Sequence, residues 1–490
     1  MSIWKRKPMS ILLEEASESE KGLKRTLTAW SLVALGIGAI IGAGLFVRTA
    51  TAAAQNAGPS VTIGFIVAAI GCALAGLCYA ELSSSIPISG SAYTYTYATM
   101  GELLAWIIGW DLILEYAVGA ATVGIAWSEY LNNLLVNVLH VNPIPYEWCH
   151  SPFQTSADGV SGMINLPAFF IVAVISLLLI KGTQESAFVN GIIVVAKVAI
   201  VVMIIIFGWS FIRPENHTPY IPPSSIFTDE HGVGHSFGGI MGILGAAGTV
   251  FFAFIGFDAV STAAQETINP KRNMPIGILG SLAVCTVLYI LFAHVLTGLE
   301  SVEFFRTGGK EASVANAITS GMPGYEWLAQ FVTVAILAGF SSVILVMLLG
   351  QSRVFYSMGK DGLLPKAFSE VHPKFKTPYK ANLAILVIVG LFAAFVPGDI
   401  VGDMTSIGTL FAFILVCISV IVLRKTEPDM PRQFKTPFVP FVPILGIIVC
   451  LAMIYGLGWT NWARLIGWLA LGLVFYFVYS KKNSTLNNKK

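Results

Sequence analysis

The chain consists largely of apolar runs of about 20 residues, and this repetition constrains the fold more than any other feature of the sequence. Runs of this length match what an α-helix needs to cross the hydrocarbon core of a bilayer. Only 11% of the 490 residues are charged and 55% are hydrophobic, whereas soluble domains carry about 25% charged residues. The sequence therefore predicts an all-α integral membrane protein.

About twelve apolar windows, bounded by polar residues or by Gly and Pro, are predicted to span the membrane. They lie near residues 28–50, 60–83, 101–136, 164–181, 186–212, 240–264, 275–299, 326–357, 380–397, 402–424, 440–458 and 461–480. Residues 1–27 form a predicted N-terminal segment, in which 10–25 are either a short amphipathic helix or an unordered tail. Residues 481–490 form a predicted C-terminal tail.

Lysine and arginine residues are unequally divided between the two sides that these spans define. Most of the 29 fall on the side of the N-terminus, whereas Arg213, Arg306 and Lys310 fall on the opposite side. Positively charged loops are retained in the cytoplasm. We therefore predict a multi-pass protein of the plasma membrane with both termini in the cytoplasm.

Composition also excludes several other classes of protein. The net charge is only +2 and the cations are scattered, which leaves no basic stripe for nucleic acid. The six cysteines form no CxxC pair, so neither a disulfide framework nor a cysteine metal site is expected.

The first span contains four glycines between residues 36 and 44, and each weakens a helix by roughly 1 kcal/mol relative to alanine. One interpretation is close packing of helices through small residues. The other is a discontinuous helix, whose free backbone groups line a cavity at the centre of the bilayer. On the second interpretation, Gly44→Val is expected to leave insertion normal and to remove substrate affinity, because a side chain would block the approach to the backbone.

The sixth span contains a matching irregularity, with Gly256 and the ionisable Asp258 near its middle. Interrupted spans at matching positions of two halves indicate a transporter binding site. The offset of five spans predicts two inverted repeats, 28–212 and 239–424, followed by two further spans at 437–480. A zwitterion suits such a site, because the half-helix ends offer amide donors for a carboxylate and carbonyls for an ammonium.

Several motifs together resemble one family, the amino acid–polyamine–organocation transporters, and within it the cationic amino acid transporter branch and its bacterial relatives. They are Gly-Ala-Gly at 42–44, Gly-Trp-Asp-Leu-Ile-Leu-Glu-Tyr at 109–116, Phe-Ile-Gly-Phe-Asp at 254–258, Glu-Thr-Ile-Asn-Pro-Lys-Arg-Asn-Met-Pro at 266–275 and Asp-Gly-Leu-Leu-Pro at 361–365. The resemblance implies a leucine-transporter type of fold, with 5+5 inverted repeats and broken helices 1 and 6, and L-amino acids as substrates.

The same resemblance implies the residues of the substrate site. The substrate ammonium is expected at the carbonyls of Ile40, Phe252 and Ile255. The substrate carboxylate is expected at the amides of Gly42, Ala43 and Gly44. Phe252 and Ala253 would form a compact apolar wall, which favours small neutral amino acids such as alanine, whereas the resemblance to the cationic branch favours arginine, lysine or ornithine.

Lys197 is the only lysine inside an apolar run, and an ionisable group inside a span is a functional hypothesis by default. Either it is permanently paired with a carboxylate such as Glu115 or Asp258, or it responds to protons. In proton-coupled members of the family that the chain resembles, a lysine at this position replaces the sodium ion. The resemblance then predicts its amine near the carbonyls of Gly38 and Ile41 and the hydroxyls of Ser341 and Ser342, with no sodium bound.

The roles of four acids inside the predicted spans are predicted less specifically. Asp258 resembles a gating acid of the family and is expected to close a gate or to relay a proton. Asp111, Glu115 and Glu129 are predicted to be structural hydrogen-bond anchors.

The expected function is therefore proton-coupled transport of L-amino acids by alternating access. The alternative is sodium-independent exchange or uptake of cationic amino acids. An ion channel would need a polar pore ring and an enzyme would need a catalytic or metal cluster, and neither pattern is present in the sequence. We expect no cofactor, with protons as the coupling ion and the lipid bilayer as the surroundings. A small partner subunit leaves no signal in the sequence.

Overall fold

The fold is described from a computed structural model of the chain. The described residues are 4–8, 11, 27–86, 91–156, 158–181, 187–228, 232, 234–307, 313–375 and 377–488. The predicted amphipathic helix at 10–25 lies outside them, apart from residue 11.

Helices form most of the described chain. In the first half they are α1 (Ala29–Ile40), α2 (Thr49–Ala52), α3 (Val61–Ser85), α4 (Ser91–Thr99), α5 (Glu102–Leu112), α6 (Gly119–Asn133), α7 (Leu166–Lys181) and α8 (Ala187–Gly208). In the second half they are α9 (Gly239–Phe251), α10 (Pro270–Leu299), α11 (Val302–Thr307), α12 (Ser313–Gly321), α13 (Glu326–Lys360), α14 (Tyr379–Phe395), α15 (Gly398–Thr426), α16 (Phe441–Gly456), α17 (Trp459–Phe475), α18 (Lys481–Asn483) and α19 (Thr485–Asn488).

Wider and tighter turns interrupt or extend these helices. The π-helical segments are Gly44–Arg48, Ala53–Ala57, Ile113–Val118, Leu134–Val138 and Tyr476–Ser480. The 3₁₀ segments are Gly58–Ser60, Tyr146–Trp148, Trp209–Phe211, Pro214–His217, Phe252–Phe254, Asp258–Glu266 and Lys366–Ser369. π-turns occur in short pieces and often at functional sites. The π-helical segments after α1 and α5 are therefore candidate parts of a functional site.

Eight continuous helical stretches in the described chain are long and apolar enough to cross a membrane. Four shorter apolar helices, α1, α7, α14 and α16, accompany them. Helices occupy each of the ranges that the sequence predicted, with bounds that differ by a few residues. The chain is therefore a helical multi-pass membrane protein, and its division into twelve spans stays a prediction.

A small hairpin corrects the expectation of a purely helical protein. Strand β1 (Ser225–Thr228) pairs antiparallel with β2 (Gly234–Phe237). It lies in the loop between α8 and α9, where no bilayer requires the backbone to close its own hydrogen bonds in a helix. Helices α4, α11 and α12 were likewise not predicted, because each is shorter than a span.

The core lies where the two interrupted spans meet their neighbours. Helix α10 packs against both α1 and α3, and α9 packs against α3. Close approach is possible at small residues: a Cβ added at Gly36 of α1 would lie 2.4 Å from the Ser281 hydroxyl of α10. In a membrane such packing, rather than burial from water, holds helices together.

Both ends of the chain lie on one face of the molecule, which we call the terminal face. The Lys5 amine donates to the Leu486 carbonyl at 2.6 Å, and the Lys7 amine lies 2.9 Å from Asp361 Oδ1. The opposite face is called the far face. A shared face for both termini agrees with an even number of spans.

Candidate functional site

The first interruption follows α1. Ile41 leaves the helix with an extended backbone (φ −73°, ψ 104°), and π-helical geometry begins at Gly44. An interrupted helix leaves carbonyls without partners at one end and amides without partners at the other. Of the two interpretations of the glycines in the sequence, the structure therefore has the discontinuous helix.

Side chains from two other helices satisfy carbonyls at the end of α1. The Lys197 amine of α8 donates to the Gly38 carbonyl at 2.8 Å. The Tyr289 hydroxyl of α10 contacts the Ile40 carbonyl at 2.9 Å and the Ala253 carbonyl at 3.0 Å. Tyr289 therefore joins the two interruptions. The sequence does not identify this residue, because nothing local distinguishes this tyrosine from other aromatic residues in a span.

Amides gather on the other side of the first interruption. Gly42, Ala43 and Gly44 begin the second half of the broken helix, where the first N–H groups have no partner one turn earlier. The Gly42 carbonyl already accepts from the Leu45 amide at 3.1 Å. Such an end, with its amides and its positive dipole, can bind a carboxylate.

The second interruption follows α9 and the 3₁₀ turn Phe252–Phe254. Ile255 is extended (ψ 135°), and Gly256 has φ +116°. That conformation is costly for residues with a Cβ, and a Cβ at Gly256 would lie 2.9 Å from the Ala39 carbonyl oxygen. Glycine is therefore required here both by backbone conformation and by contact with α1.

The two interruptions pack directly against each other at Gly44. A Cβ added there would lie 2.2 Å from Ala253 Cα and 2.5 Å from Ala253 N. These are backbone atoms, which cannot move aside. The expectation that Gly44→Val would insert normally is therefore wrong, since Gly44 is needed for packing as well as for the break. At Gly42, by contrast, the nearest atom would be a Val343 side-chain carbon at 3.1 Å.

A cavity of about 680 Å³ opens towards the far face beside the first interruption. Ala43, Val47, Arg48 and Glu129 line it, together with the loop after α6. Of the predicted substrate residues, Ala43 alone lines this cavity, whereas Ile40, Phe252, Ala253 and Ile255 are buried behind it. The predicted apolar wall of Phe252 and Ala253 is therefore not part of the lining of this cavity.

An ion-pair network stands at the edge of this cavity. Arg48, whose side chain is 3% exposed, pairs with Asp403 and lies 3.4 Å from Asp399, both on α15. Asp403 also accepts from Asn461 at 3.2 Å, and Asn461 in turn accepts from Arg464 of α17 at 2.7 Å. The network was missed, although an arginine inside a predicted span was a signal for it.

The surroundings of Lys197 differ in part from the prediction. Its side chain is 3% exposed, and a Cβ at Gly339 would lie 2.8 Å from its Cε. Ser341 donates to the Leu337 carbonyl at 3.0 Å, and the buried Ser342 hydroxyl has no hydrogen-bond partner among the described residues. The Ser342 hydroxyl therefore does not bond the Lys197 amine, whereas Ser341 bonds the carbonyl one turn before it, as a serine within a helix readily does.

The predicted gating acid is completely buried. Asp258 Oδ2 accepts a hydrogen bond from the Tyr116 hydroxyl, which also lies 3.4 Å from Ser91 Oγ. The Glu115 carboxyl lies beside that of Asp258. This cluster joins the second interruption to the π-turn after α5. Its role as a gate stays a prediction.

The remaining predicted anchors have different outcomes. Neither carboxylate oxygen of the buried Asp111 has a hydrogen-bond partner in the described part of the chain, so Asp111 does not act as an anchor there. It faces α15, where a Cβ at Gly408 would lie 3.2 Å from Asp111 Oδ1. Glu129 is half-buried and lines the far-face cavity.

Comparison with known proteins adds independent information. Residues 27–485 match the family model described as amino acid permease. The chain is 44% identical to the branched-chain amino acid permease BcaP of Bacillus subtilis and 41% identical to the methylthioribose transporter of the same organism, each time over 99% of both chains. It is 33% identical to the vacuolar cationic amino acid transporter 4 of Arabidopsis thaliana, over 83% of this chain and 64% of that protein.

Proposed function

Because this chain belongs to the amino acid permease family, we propose that it carries neutral aliphatic L-amino acids across the plasma membrane in symport with protons. The family and its named transporters make it an amino acid transporter and not an enzyme. We further propose the leucine-transporter arrangement, with inverted repeats at 28–212 and 239–424 and both termini in the cytoplasm.

One observation carries this proposal: the two helix interruptions lie against each other near the centre of the bundle. Their contact at Gly44 and Ala253, and the Tyr289 hydroxyl that both share, bring amides of one break close to carbonyls of the other. A zwitterion needs both kinds of group. We assign its carboxylate to the amides of Gly42, Ala43 and Gly44, and its ammonium to the carbonyls of Ile40, Phe252 and Ile255.

The substrate side chain is proposed to be apolar. Val343 beside Gly42 adds an aliphatic side chain to Phe252 and Ala253 near the interruptions, and a guanidinium group would be costly to bury among them without partners. The name of the branched-chain amino acid permease supports valine and leucine in addition to alanine. The cationic relatives support arginine as the alternative substrate.

We propose Lys197 as the group that responds to protons. Its ammonium contacts a carbonyl at the end of α1, where a cation is favoured by the helix dipole. A sodium ion and this ammonium cannot occupy the same position. Transport should therefore be independent of sodium.

Uptake into proteoliposomes tests both substrate and coupling. Radiolabelled alanine, leucine, arginine and methylthioribose are offered with and without an inward proton gradient, in NaCl or in choline chloride. We expect accumulation of alanine and leucine that depends on the proton gradient and is equal in both salts. Accumulation of arginine or methylthioribose alone would contradict the proposed substrate, and a requirement for sodium would contradict the proposed coupling.

A further inference from the structure

A second cavity, of about 660 Å³, lies on the terminal face, far from the helix interruptions. It is formed between the first turns of α10 and the loop that follows α15. Lys271 and Arg272 line it on one side, and Ile276, Leu279 and Phe434 line it on another. Charge and apolar surface thus meet in one depression.

The two cations of this cavity are exposed, and neither makes an ion pair within the described chain. Several other cations on the terminal face do have acidic partners. Arg424 and Arg432 both contact Glu81. Lys271 and Arg272 therefore have charge that no acid in the described part of the chain neutralises.

The apolar wall continues along the outside of α10 into the membrane. Ile276 is 43% exposed at the cavity, and Val284 and Val287, two and three turns further along the helix, are 40% and 58% exposed. Leu279 and Phe434 are half-buried and give the groove its floor. An occupant must therefore be anionic at one end and apolar along its length.

We propose that this cavity binds an anionic phospholipid of the cytoplasmic leaflet. The phosphate group contacts Lys271 and Arg272, and an acyl chain follows Ile276, Val284 and Val287 along α10. Basic pockets between helices on the cytoplasmic side are suited to such headgroups, because the leaflet there is rich in anionic lipid. A soluble anion would pair with Lys271 and Arg272, but other lipids would then have to cover the apolar groove.

A thermal-shift titration of the purified protein in detergent tests this site. The probes are phosphatidylglycerol, phosphatidylcholine with the same acyl chains, and inorganic phosphate. The variant is Lys271→Gln with Arg272→Gln. The matched control is Lys366→Gln with Lys374→Gln, which removes two exposed cations from the same face outside the cavity.

We expect phosphatidylglycerol to raise the melting temperature of the wild type and of the control, whereas phosphatidylcholine and phosphate do not. In the Lys271 and Arg272 variant the apparent affinity for phosphatidylglycerol should fall about thirtyfold, since the two basic residues together contribute about 2 kcal/mol near an anionic membrane surface. An equal response in variant and control would overturn the site. A response to inorganic phosphate as large as that to the lipid would overturn the lipid as its occupant.

Discussion

At the scale of single residues, two polar side chains satisfy the backbone where α1 ends, and neither belongs to a broken helix. Lys197 bonds the Gly38 carbonyl and Tyr289 bonds the Ile40 carbonyl. A buried carbonyl without a partner costs about 1–3 kcal/mol, so both side chains stabilise the interruption. They differ in that the lysine is a cation when protonated, whereas the tyrosine is neutral when protonated.

For Lys197 we predict a loss of coupling without a loss of binding. Lys197→Met keeps a side chain of similar length against Gly339 but removes the charge at Gly38. Uptake driven by an inward proton gradient should disappear, because no group at this position then gains or loses a proton. Substrate binding, measured by isothermal titration, should stay within about threefold of wild type, because its carbonyls and amides belong to the two interruptions.

The control for this variant is Lys181→Met, an exposed lysine at the end of α7, which should transport normally. Accumulation of substrate by the Lys197 variant in response to a pH gradient would show that the proton uses another route, with Asp258 and Glu115 as the next candidates.

For Tyr289 we predict a combined effect on stability and affinity. Tyr289→Phe removes the hydroxyl that joins the Ile40 and Ala253 carbonyls, and its expected cost is about 1–3 kcal/mol of unfolding free energy. Because the two interruptions are then held less firmly, substrate affinity should also fall. Tyr220→Phe, which removes a hydroxyl from the loop after α8 that contacts Thr62, is the control and should leave affinity unchanged. A Tyr289 variant with wild-type affinity would leave the hydroxyl with a purely structural role.

At the scale of elements, the two broken helices depend on glycines with different tasks. Gly256 permits a positive φ beside α1, Gly44 permits contact between the two interruptions, and Gly42 faces only a valine side chain. Sequence alone treats these glycines alike. Their substitution should therefore have unequal results.

We predict that Gly44→Ala prevents correct assembly, whereas Gly42→Ala leaves a folded protein with weaker substrate binding. The alanine methyl group at Gly44 meets backbone atoms of Ala253, whereas at Gly42 a small movement of Val343 accommodates it. The yield of monodisperse protein in size-exclusion chromatography reports folding, and a binding assay reports the site. Similar yields for the two variants would disprove the distinction.

At the scale of the whole molecule, one residue, Asp361, ties both chain ends to the bundle. Asp361 contacts the Lys7 amine at 2.9 Å and the Tyr93 hydroxyl at 2.7 Å, and its carbonyl accepts from the Thr485 amide at 3.0 Å. The terminal face is thus closed by contacts between distant parts of the sequence. Alternating access would require these contacts to open when the substrate leaves on that side.

We predict that Asp361→Asn loosens the N-terminal end of the chain. The Lys7 ion pair is lost, and amide hydrogen exchange should increase in residues 4–8, whereas the centre of the bundle and residues 484–488, which the Asp361 backbone carbonyl still holds, stay protected. Asp429→Asn, an exposed acid in the loop after α15, serves as the control. Exchange that is unchanged in both variants would mean that the N-terminal end is held without the Asp361 carboxylate.

Much of the fold was predictable because membrane insertion depends on local properties of the chain. Apolar length places each helix, and the glycines of the first span together with Gly256 mark the two interruptions. Short helices such as α4 and the hairpin of β1 and β2 were not predictable, since they satisfy no bilayer requirement and have no strong periodicity. Lys197 was identifiable because a charge within an apolar run is rare.

Repeated crossing of the membrane and the breaks in two helices follow from the order of residues alone, since apolar length and helix propensity are properties of consecutive residues. Tertiary structure alone decided which groups meet at those breaks. The contact of Gly44 with Ala253, the bridge made by Tyr289 and the pairing of Arg48 with α15 all join residues far apart in the chain. Such contacts depend on how helices dock, which the order of residues within one helix does not encode.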